Sequence, residues 1–249
     1  MKIKRILVSQ PEPTSVKSPY HEFAERNNVK VDFRSFTEVE GVSAKEYRQT
    51  RVSILDHTAV IFTGRTAIDH FFRICADLRI VVPETMKYFC MSEATAFYLQ
   101  KYIVYRKRKI FYSDGPFSDL LEIMKKHLDE TYLLPLSHVH NQDIPQLLDE
   151  AKVKYSKAIL YRTVSSDLSD LKNVNYDILV FYSPSGIKSL LQNFPDFQQN
   201  DIKIASFGAS TAEAVKEAGL RLDIQAPNPE APSMTMALEQ YIKKVNKVK

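Results

Sequence analysis

One supersecondary pattern occurs twice in this chain, and that repeat limits what it can fold into. The segment AVIFTGRTAIDHFF, Ala59 to Phe72, matches ILVFYSPSGIKSLL, Ile178 to Leu191. Ile61, Phe62, Ile68 and Phe71 fall opposite Val180, Phe181, Ile187 and Leu190, a constant offset of 119 (180 − 61). Further on, KYFCMSEATAFYL around Thr95 matches KIASFGASTAEAV around Thr211, an offset of 116 (211 − 95). Each copy reads as strand, short polar turn, helix, and then the same again. A diverged repeat of this kind requires two similar α/β lobes. The 249 residues, 44% of them hydrophobic, are enough for two modest domains that each bury a core.

The rest of the chain continues the alternation. Arg5–Val8 reads as a strand, followed by a Pro-rich turn and a helix, with Ser18 and Pro19 suiting its N-cap and first turn, that runs to about Asn27. Val29–Phe36 reads as a second strand. Ser43 and Glu46 form a capping box before a helix that starts at Ala44. Lys109–Tyr112 and Tyr132–Pro135 read as strands, and Phe117–His127 and Asp143–Ala151 as helices. Lys157–Val164 is a strand leading into the second copy. Residues 226–232 are Pro-rich and extended before a last helix, Met234–Lys244. Strands alternating with helices predict open parallel sheets covered on both faces.

Several function classes find little support. Apolar runs such as Ala59–Phe62 and Ile178–Phe181 are far shorter than the roughly 20 residues that cross a bilayer. The N-terminal apolar run is too brief for a signal peptide, so the expectation is a cytoplasmic protein with no membrane partner. Cys75 and Cys90 lie in apolar surroundings and read as buried thiols. The net charge of +4, with acidic and basic residues well mixed, does not mark a nucleic-acid protein, though it suits an acidic small molecule. The run Arg106-Lys107-Arg108-Lys109 reads as a solvated loop, with RNA binding as the rival. His138-x-His140 lacks a third metal ligand nearby. No glycine-rich nucleotide fingerprint and no nucleophile triad is present, so neither a cofactor nor a metal is expected.

The polar turns of the repeat are the candidate site. Thr63-Gly64-Arg65-Thr66 and Ser183-Pro184-Ser185-Gly186 form the first pair, and Ser92-Glu93-Ala94-Thr95 and Gly208-Ala209-Ser210-Thr211 the second. In each, a buried strand ends and a helix begins at once. A helix N-terminus offers unpaired N–H groups and the positive end of a dipole, which attract carboxylates. In open α/β sheets such turns share the edge where ligands bind. Two facing lobes would line one cleft with four of them. Plain helix capping by Ser and Thr is the competing account of any single turn. Only six glycines occur, so each position is informative.

Together these segments resemble the uroporphyrinogen-III synthase family. LVFYSPSGIKSLL resembles the family's strand followed by Ser-Pro-Ser-Gly, and IASFGASTAEAVKEAGLRLDIQAPNPEAPSMTMAL its Gly-x-x-Thr-Ala helix, next strand and Pro-rich tail. ILYRTV, containing Tyr161, resembles the strand that returns the chain to the first lobe. IFTGRTAIDHFF and the N-terminal ILVSQPEP also fit. The turn at Ser92 departs from the family in lacking a glycine, and Ser137 stands where an arginine and glycine are usual.

The resemblance implies two similar open parallel-sheet α/β lobes joined by a two-stranded β-ladder. The first lobe would be discontinuous, 1–36 with 163–249, and the second would span 37–162, the chain crossing at Val29–Phe36 and Lys157–Thr163. It also implies a lyase of tetrapyrrole (haem) biosynthesis, monomeric and cofactor-free, with hydroxymethylbilane as small-molecule substrate. Loss of the bilane's hydroxyl gives an azafulvene. A spiro intermediate then inverts the last ring to give the type III ring, whereas unaided closure gives type I. Such a reaction needs orientation and fixed donors more than strong acids. The resemblance places Ser183, Ser185, Gly186, Ser210 and Thr211 against carboxylates, with Thr63, Arg65 and Thr95 as counterparts. Tyr161 would hydrogen-bond the departing hydroxyl. Thr211→Asp and Ser185→Asp are expected to fold and to lose activity. The alternative is a non-catalytic two-lobed binding protein for an anionic small molecule.

Overall fold

A computed structural model describes residues 2–15, 17–172 and 174–247. The chain starts with β1 (Arg5–Val8), α1 (Pro19–Asn27), β2 (Lys30–Phe33), β3 (Thr37–Gly41) and α2 (Ala44–Gln49). The first copy of the repeat forms β4 (Ala59–Phe62), α3 (Arg65–Asp77), β5 (Lys87–Cys90) and α4 (Glu93–Tyr98). Next come β6 (Ile110–Tyr112), α5 (Phe117–Met124), β7 (Tyr132–Ser137), α6 (Asp143–Glu150) and the long β8 (Tyr155–Ser165). The second copy forms β9 (Ile178–Phe181), α7 (Pro184–Asn193), β10 (Lys203–Phe207) and α8 (Ala209–Glu217), followed by β11 (Ile224–Ala226) and α9 (Met234–Lys247).

The chain divides into two compact units, Met1–Glu38 with Val164–Lys249, and Val39–Thr163. The first holds a parallel sheet in the order β11-β10-β9-β1-β2, and the second a sheet in the order β3-β8-β7-β4-β5-β6. The repeat maps β4 onto β9 and β5 onto β10. Matching the remaining strands outward pairs β6 with β11, β7 with β1 and β8 with β2. Both units therefore share one strand order, entered by the chain at different points, with β3 as an extra edge strand of the second. The three-residue change in repeat offset is visible in the ladders, where Ala59 pairs with Lys87 but Ile178 with Lys203.

Alternation along the strands builds a core on each sheet face. In the first unit Ile6, Val8 and Val180 pack with Phe23 and Leu238 on one side, while Leu7, Leu179 and Phe181 pack with Ile187 and Val215 on the other. In the second, Val60 and Phe62 join Phe71 and Ile74, and Ala59 and Ile61 join Phe89 and Leu120. Burial on both faces explains why β4 and β9 are unbroken apolar runs. Helix α3 presents Ala67, Ile68, Phe71, Ile74 and Cys75 inward, at the three- and four-residue spacing of one helical face. Cys75 and Cys90 are buried, and desolvation pushes both thiols up to about 12, as suits inert core residues. The capping box at Ser43 and Glu46 is present in both directions.

One crossing strand differs from expectation. Val29–Phe36 does not carry the chain across, because β2 (Lys30–Phe33) lies in the first sheet paired with β1. The neighbour of β8 is instead β3, with sequence TEVEG. Its three central residues are exposed, so this edge strand carries charge where a buried strand would carry apolar residues.

Candidate active site

Each sheet has a point where its strand order reverses, the place where open α/β sheets bind ligands. In the first unit it lies between β1 and β9, whose carboxyl ends lead into Ser9 and into Tyr182–Ser183. Ser9 N–H donates to Val180 O at 2.9 Å, and the Tyr20 and Tyr182 hydroxyls are 2.7 Å apart. In the second unit the point lies between β4 and β7, which lead into Thr63–Gly64 and His138. These two strands pair only at Ala59–Tyr132 and Val60–Leu133, while β7 stays paired with β8 as far as Ser137.

The four polar turns all open helices, but they divide into two kinds. Helices α4 and α7 are partly capped by side chains. Ser183 Oγ accepts from Gly186 N–H at 3.3 Å, and Pro184 brings no N–H to the first turn. That leaves the exposed Ser185 as the open donor of α7. Gly186 is buried, and a Cβ there would stand 3.1 Å from the Phe181 ring and 3.5 Å from Ser9 Oγ. Its glycine thus serves the close approach of helix to strand. In α4, Ser92 Oγ accepts from Thr95 N–H at 3.2 Å and lies 3.0 Å from Thr95 Oγ1. Asp114 Oδ1 accepts from Glu93 N–H at 3.0 Å. Thr95 is therefore buried with its hydroxyl paired locally, and two carboxylates already stand at that short helix.

Helices α3 and α8 are open. Their caps are Gly64 and Gly208, and neither supplies a side-chain hydrogen bond. Among the described residues no group accepts from the N–H of Arg65, Thr66 or Ala67, nor from that of Ala209, Ser210 or Thr211. A Cβ built at either glycine meets nothing within 4 Å, so the space over both turns is free. Gly208 has φ 87°, which favours glycine, and its N–H donates to Ala226 O at 2.7 Å. Gly64 is extended, with φ 176°, a backbone any residue adopts. Each unit thus has one helix end without a side-chain cap, and the repeat places them at non-equivalent turns. The half-buried Thr63 precedes the first; the exposed Arg65 and Ser210 lie in the first turns, while Thr211 is 1% exposed.

Tyr161 lies on β8 just past a bulge. Leu136 pairs with Ile159 but Ser137 with Tyr161, so Leu160 is the extra residue. The bulge breaks the alternation, and consecutive Leu160 and Tyr161 both pack on the cluster around Phe71. The Tyr161 ring stacks on His70 of α3, centroids 5.0 Å apart at 20°. Burial raises the phenol above its ordinary value, so it is a neutral donor at neutral pH.

His138 is exposed, and His140 Nδ1 donates to Ser137 O at 2.8 Å. His127, Asp129 and Glu130 bring ligand atoms within 4.8 Å of one another, but Glu130 is already paired with Lys87. In the basic run, Arg106 bonds Glu84 at 3.0 Å and Lys109 reaches the Glu84 carbonyl, which leaves Lys107 and Arg108 exposed. Sequence reasoning missed Ser9, Tyr182 and Asp114, which join the turns only once the strand ends are side by side. It also missed the glycine caps as the open ends, a signal available in the scarcity of glycine.

The uroporphyrinogen-III synthase HemD family model matches residues 18–236 of the chain. No curated protein matches it. Among solved structures, the chain is similar to uroporphyrinogen-III synthetase from Helicobacter pylori 26695, with TM-score 0.58 and 17% identity, covering 97% of this chain and 100% of that one. A mutant uroporphyrinogen III synthase from the extremely thermophilic bacterium Thermus thermophilus matches with TM-score 0.48 and 14% identity over 98% and 99% of the two chains. The first of these likenesses supports the fold, while the match over residues 18–236 establishes the family. The chain belongs to the uroporphyrinogen-III synthase family.

Proposed function

We propose that the chain converts hydroxymethylbilane to uroporphyrinogen III, losing water and inverting the last pyrrole ring, as a cytoplasmic, monomeric hydro-lyase. The observation that carries this reading is the pair of open helix ends, at Gly64 and Gly208, one in each unit. Fixed N–H donors suit a substrate with eight carboxylates, because they are aimed before binding and need little reorganisation during closure. Arg65 and Ser210 extend these two ends with exposed polar side chains, and Ser185 adds a third, smaller donor. Tyr161 supplies a neutral O–H for the departing hydroxyl. The reaction asks for orientation and proton donation, so the reading calls for no metal or cofactor. No helix among the described residues is long and apolar enough to cross a membrane.

The test supplies freshly made hydroxymethylbilane and resolves type III from type I product. Type III product well above the spontaneous type I background is the expected result. A chain that binds the bilane and releases it unchanged is the non-catalytic binder instead. Thr211→Asp does not report on binding, because Thr211 is 1% exposed and an unpaired buried carboxylate costs several kcal/mol of stability. The neighbouring Ser210 is exposed, so Ser210→Asp is the informative change. We expect Ser210→Asp to melt within about 2 °C of wild type and to form type III product at least about tenfold more slowly, by like-charge repulsion. Thr211→Asp should lower the melting temperature by about 6 °C or more. Matched thermal melts and rates of the two variants check both statements.

A further inference from the structure

The site in the second unit includes an arginine whose side chain is held by a ring and not by a charge. Arg65 opens α3, and Asp69 stands four residues later on the same face, a spacing at which Arg and Asp commonly pair. That pair is not formed. Asp69 is engaged by other donors: Tyr98 O–H lies 3.0 Å from each carboxylate oxygen, while Lys101 Nζ at 2.9 Å and Tyr102 O–H at 2.5 Å both reach Oδ1. Lys101 also donates to Tyr98 Oη at 3.1 Å. Burial works to raise the Asp69 carboxyl, and the hydrogen bonds from Tyr102, Lys101 and Tyr98 overcome it and hold the group below the usual range. Asp69 thus stays charged and is held by Tyr98, Lys101 and Tyr102.

The same network fixes the Tyr98 ring. Lys101 sits against Tyr98 and Tyr102, 5.3 and 5.1 Å from their centroids, and Tyr102 stacks on Phe72 at 4.5 Å. The Arg65 guanidinium carbon lies over the Tyr98 ring, 5.3 Å from its centroid. Among the described residues Arg65 makes no ion pair and no side-chain hydrogen bond. A guanidinium held by an aromatic face keeps its N–H edges available for a bidentate contact.

We infer that Tyr98, anchored by Asp69 and Lys101, is a positioning residue that aims Arg65 at a carboxylate of the tetrapyrrole. The inference rests on the proposed function for its ligand. The design has a physical logic. A compact ammonium satisfies Asp69 from one side, which keeps the carboxylate from capturing the arginine. The ring then limits the wandering of a long, exposed side chain without spending its hydrogen bonds.

The experiment compares Tyr98→Leu with Tyr98→Phe, each in the wild-type and Arg65→Ala backgrounds. The readouts are KM and kcat for type III formation and binding of uroporphyrin III, a stable eight-carboxylate probe. Tyr98→Leu should raise KM and the uroporphyrin dissociation constant about three- to tenfold with kcat nearly unchanged. Tyr98→Phe keeps the ring but loses the hydroxyl's bonds to Asp69 and Lys101, so it should weaken binding by less than Tyr98→Leu, by about two- to threefold. In the Arg65→Ala background Tyr98→Leu should add nothing further, the signature of one shared interaction. Equal weakening by Tyr98→Leu with and without Arg65 would overturn the positioning role, as would a loss confined to kcat. The binding arm separates this inference from the reading it rests on. If wild type binds uroporphyrin III in the expected pattern but forms no type III product, the catalytic reading fails and the positioning role stands.

Discussion

A Gly64→Asp variant is expected to melt slightly higher than wild type and to lose most type III synthase activity. Gly64 caps α3 in an extended conformation open to any residue, and a side chain there meets nothing within 4 Å. An aspartate at the cap accepts from the first-turn N–H groups and sits at the favourable end of the dipole. Those effects together contribute about 0.5–1 kcal/mol, or a rise of about 1–4 °C for a chain of this size. The same carboxylate occupies the donors that a substrate carboxylate would use, and it repels that carboxylate. Two unit charges about 6 Å apart repel by about 3 kcal/mol at an effective dielectric of about 20. Each 1.4 kcal/mol is roughly a factor of ten, so the loss approaches a hundredfold before solvent screening and should remain at least about tenfold after it. Added salt should recover part of the loss. The opposed signs are what make the variant decisive. If Gly64 were only a poor structural cap, improving it would raise stability and leave activity alone. Melts and type III rates measured on one preparation, with and without added salt, separate the two accounts.

The repeat made the fold legible, because fully buried strands followed at once by helices leave few alternatives. The offset of 119 between Ile61 and Val180 is the alignment of β4 with β9. What stayed hidden was decided by contacts far apart in sequence. The resemblance places Thr211 against a carboxylate, but the third residue of α8 faces the core and its side chain is buried. At Thr95, Ser92 accepts from its N–H, and Asp114, arriving from the end of a neighbouring strand, accepts from that of Glu93. Ser and Thr are good caps. A good cap consumes the donor that a ligand would need, so Gly64 and Gly208 mark the open ends. Strand β3 was invisible because an exposed edge strand carries Glu38 and Glu40 where a core strand carries apolar residues. The bulge at Leu160 leaves no sequence signature at all.

Tyr161→Phe tests whether a side chain takes a direct part in the chemistry. The phenol sits just past the β8 bulge, its ring stacked on His70 at 5.0 Å and packed on the core cluster of the second unit. His70 is lowered first by burial and then by the nearby Arg73, so the ring beneath Tyr161 is uncharged at neutral pH. Phenylalanine reproduces this stack, and Tyr161 Oη donates to no group among the described residues, so the substitution removes little structure. Stability should change by less than about 1 kcal/mol, whereas positioned proton donation is typically worth about 10²–10⁴-fold in rate. We expect Tyr161→Phe to fold, to bind bilane and to form type III product at least about tenfold more slowly, a conservative share of that effect. Type I product should appear alongside, because bilane released before azafulvene formation closes on its own. Burial raises the phenol's pKa, so the wild-type advantage should persist from neutral pH through its ordinary value of about 10 and fall only above it, where the donor is lost. Tyr161→Leu removes the stack as well, and its thermal melt measures what packing alone contributes. Full activity in Tyr161→Phe would leave the tyrosine a packing residue and assign the closure to backbone donors and orientation.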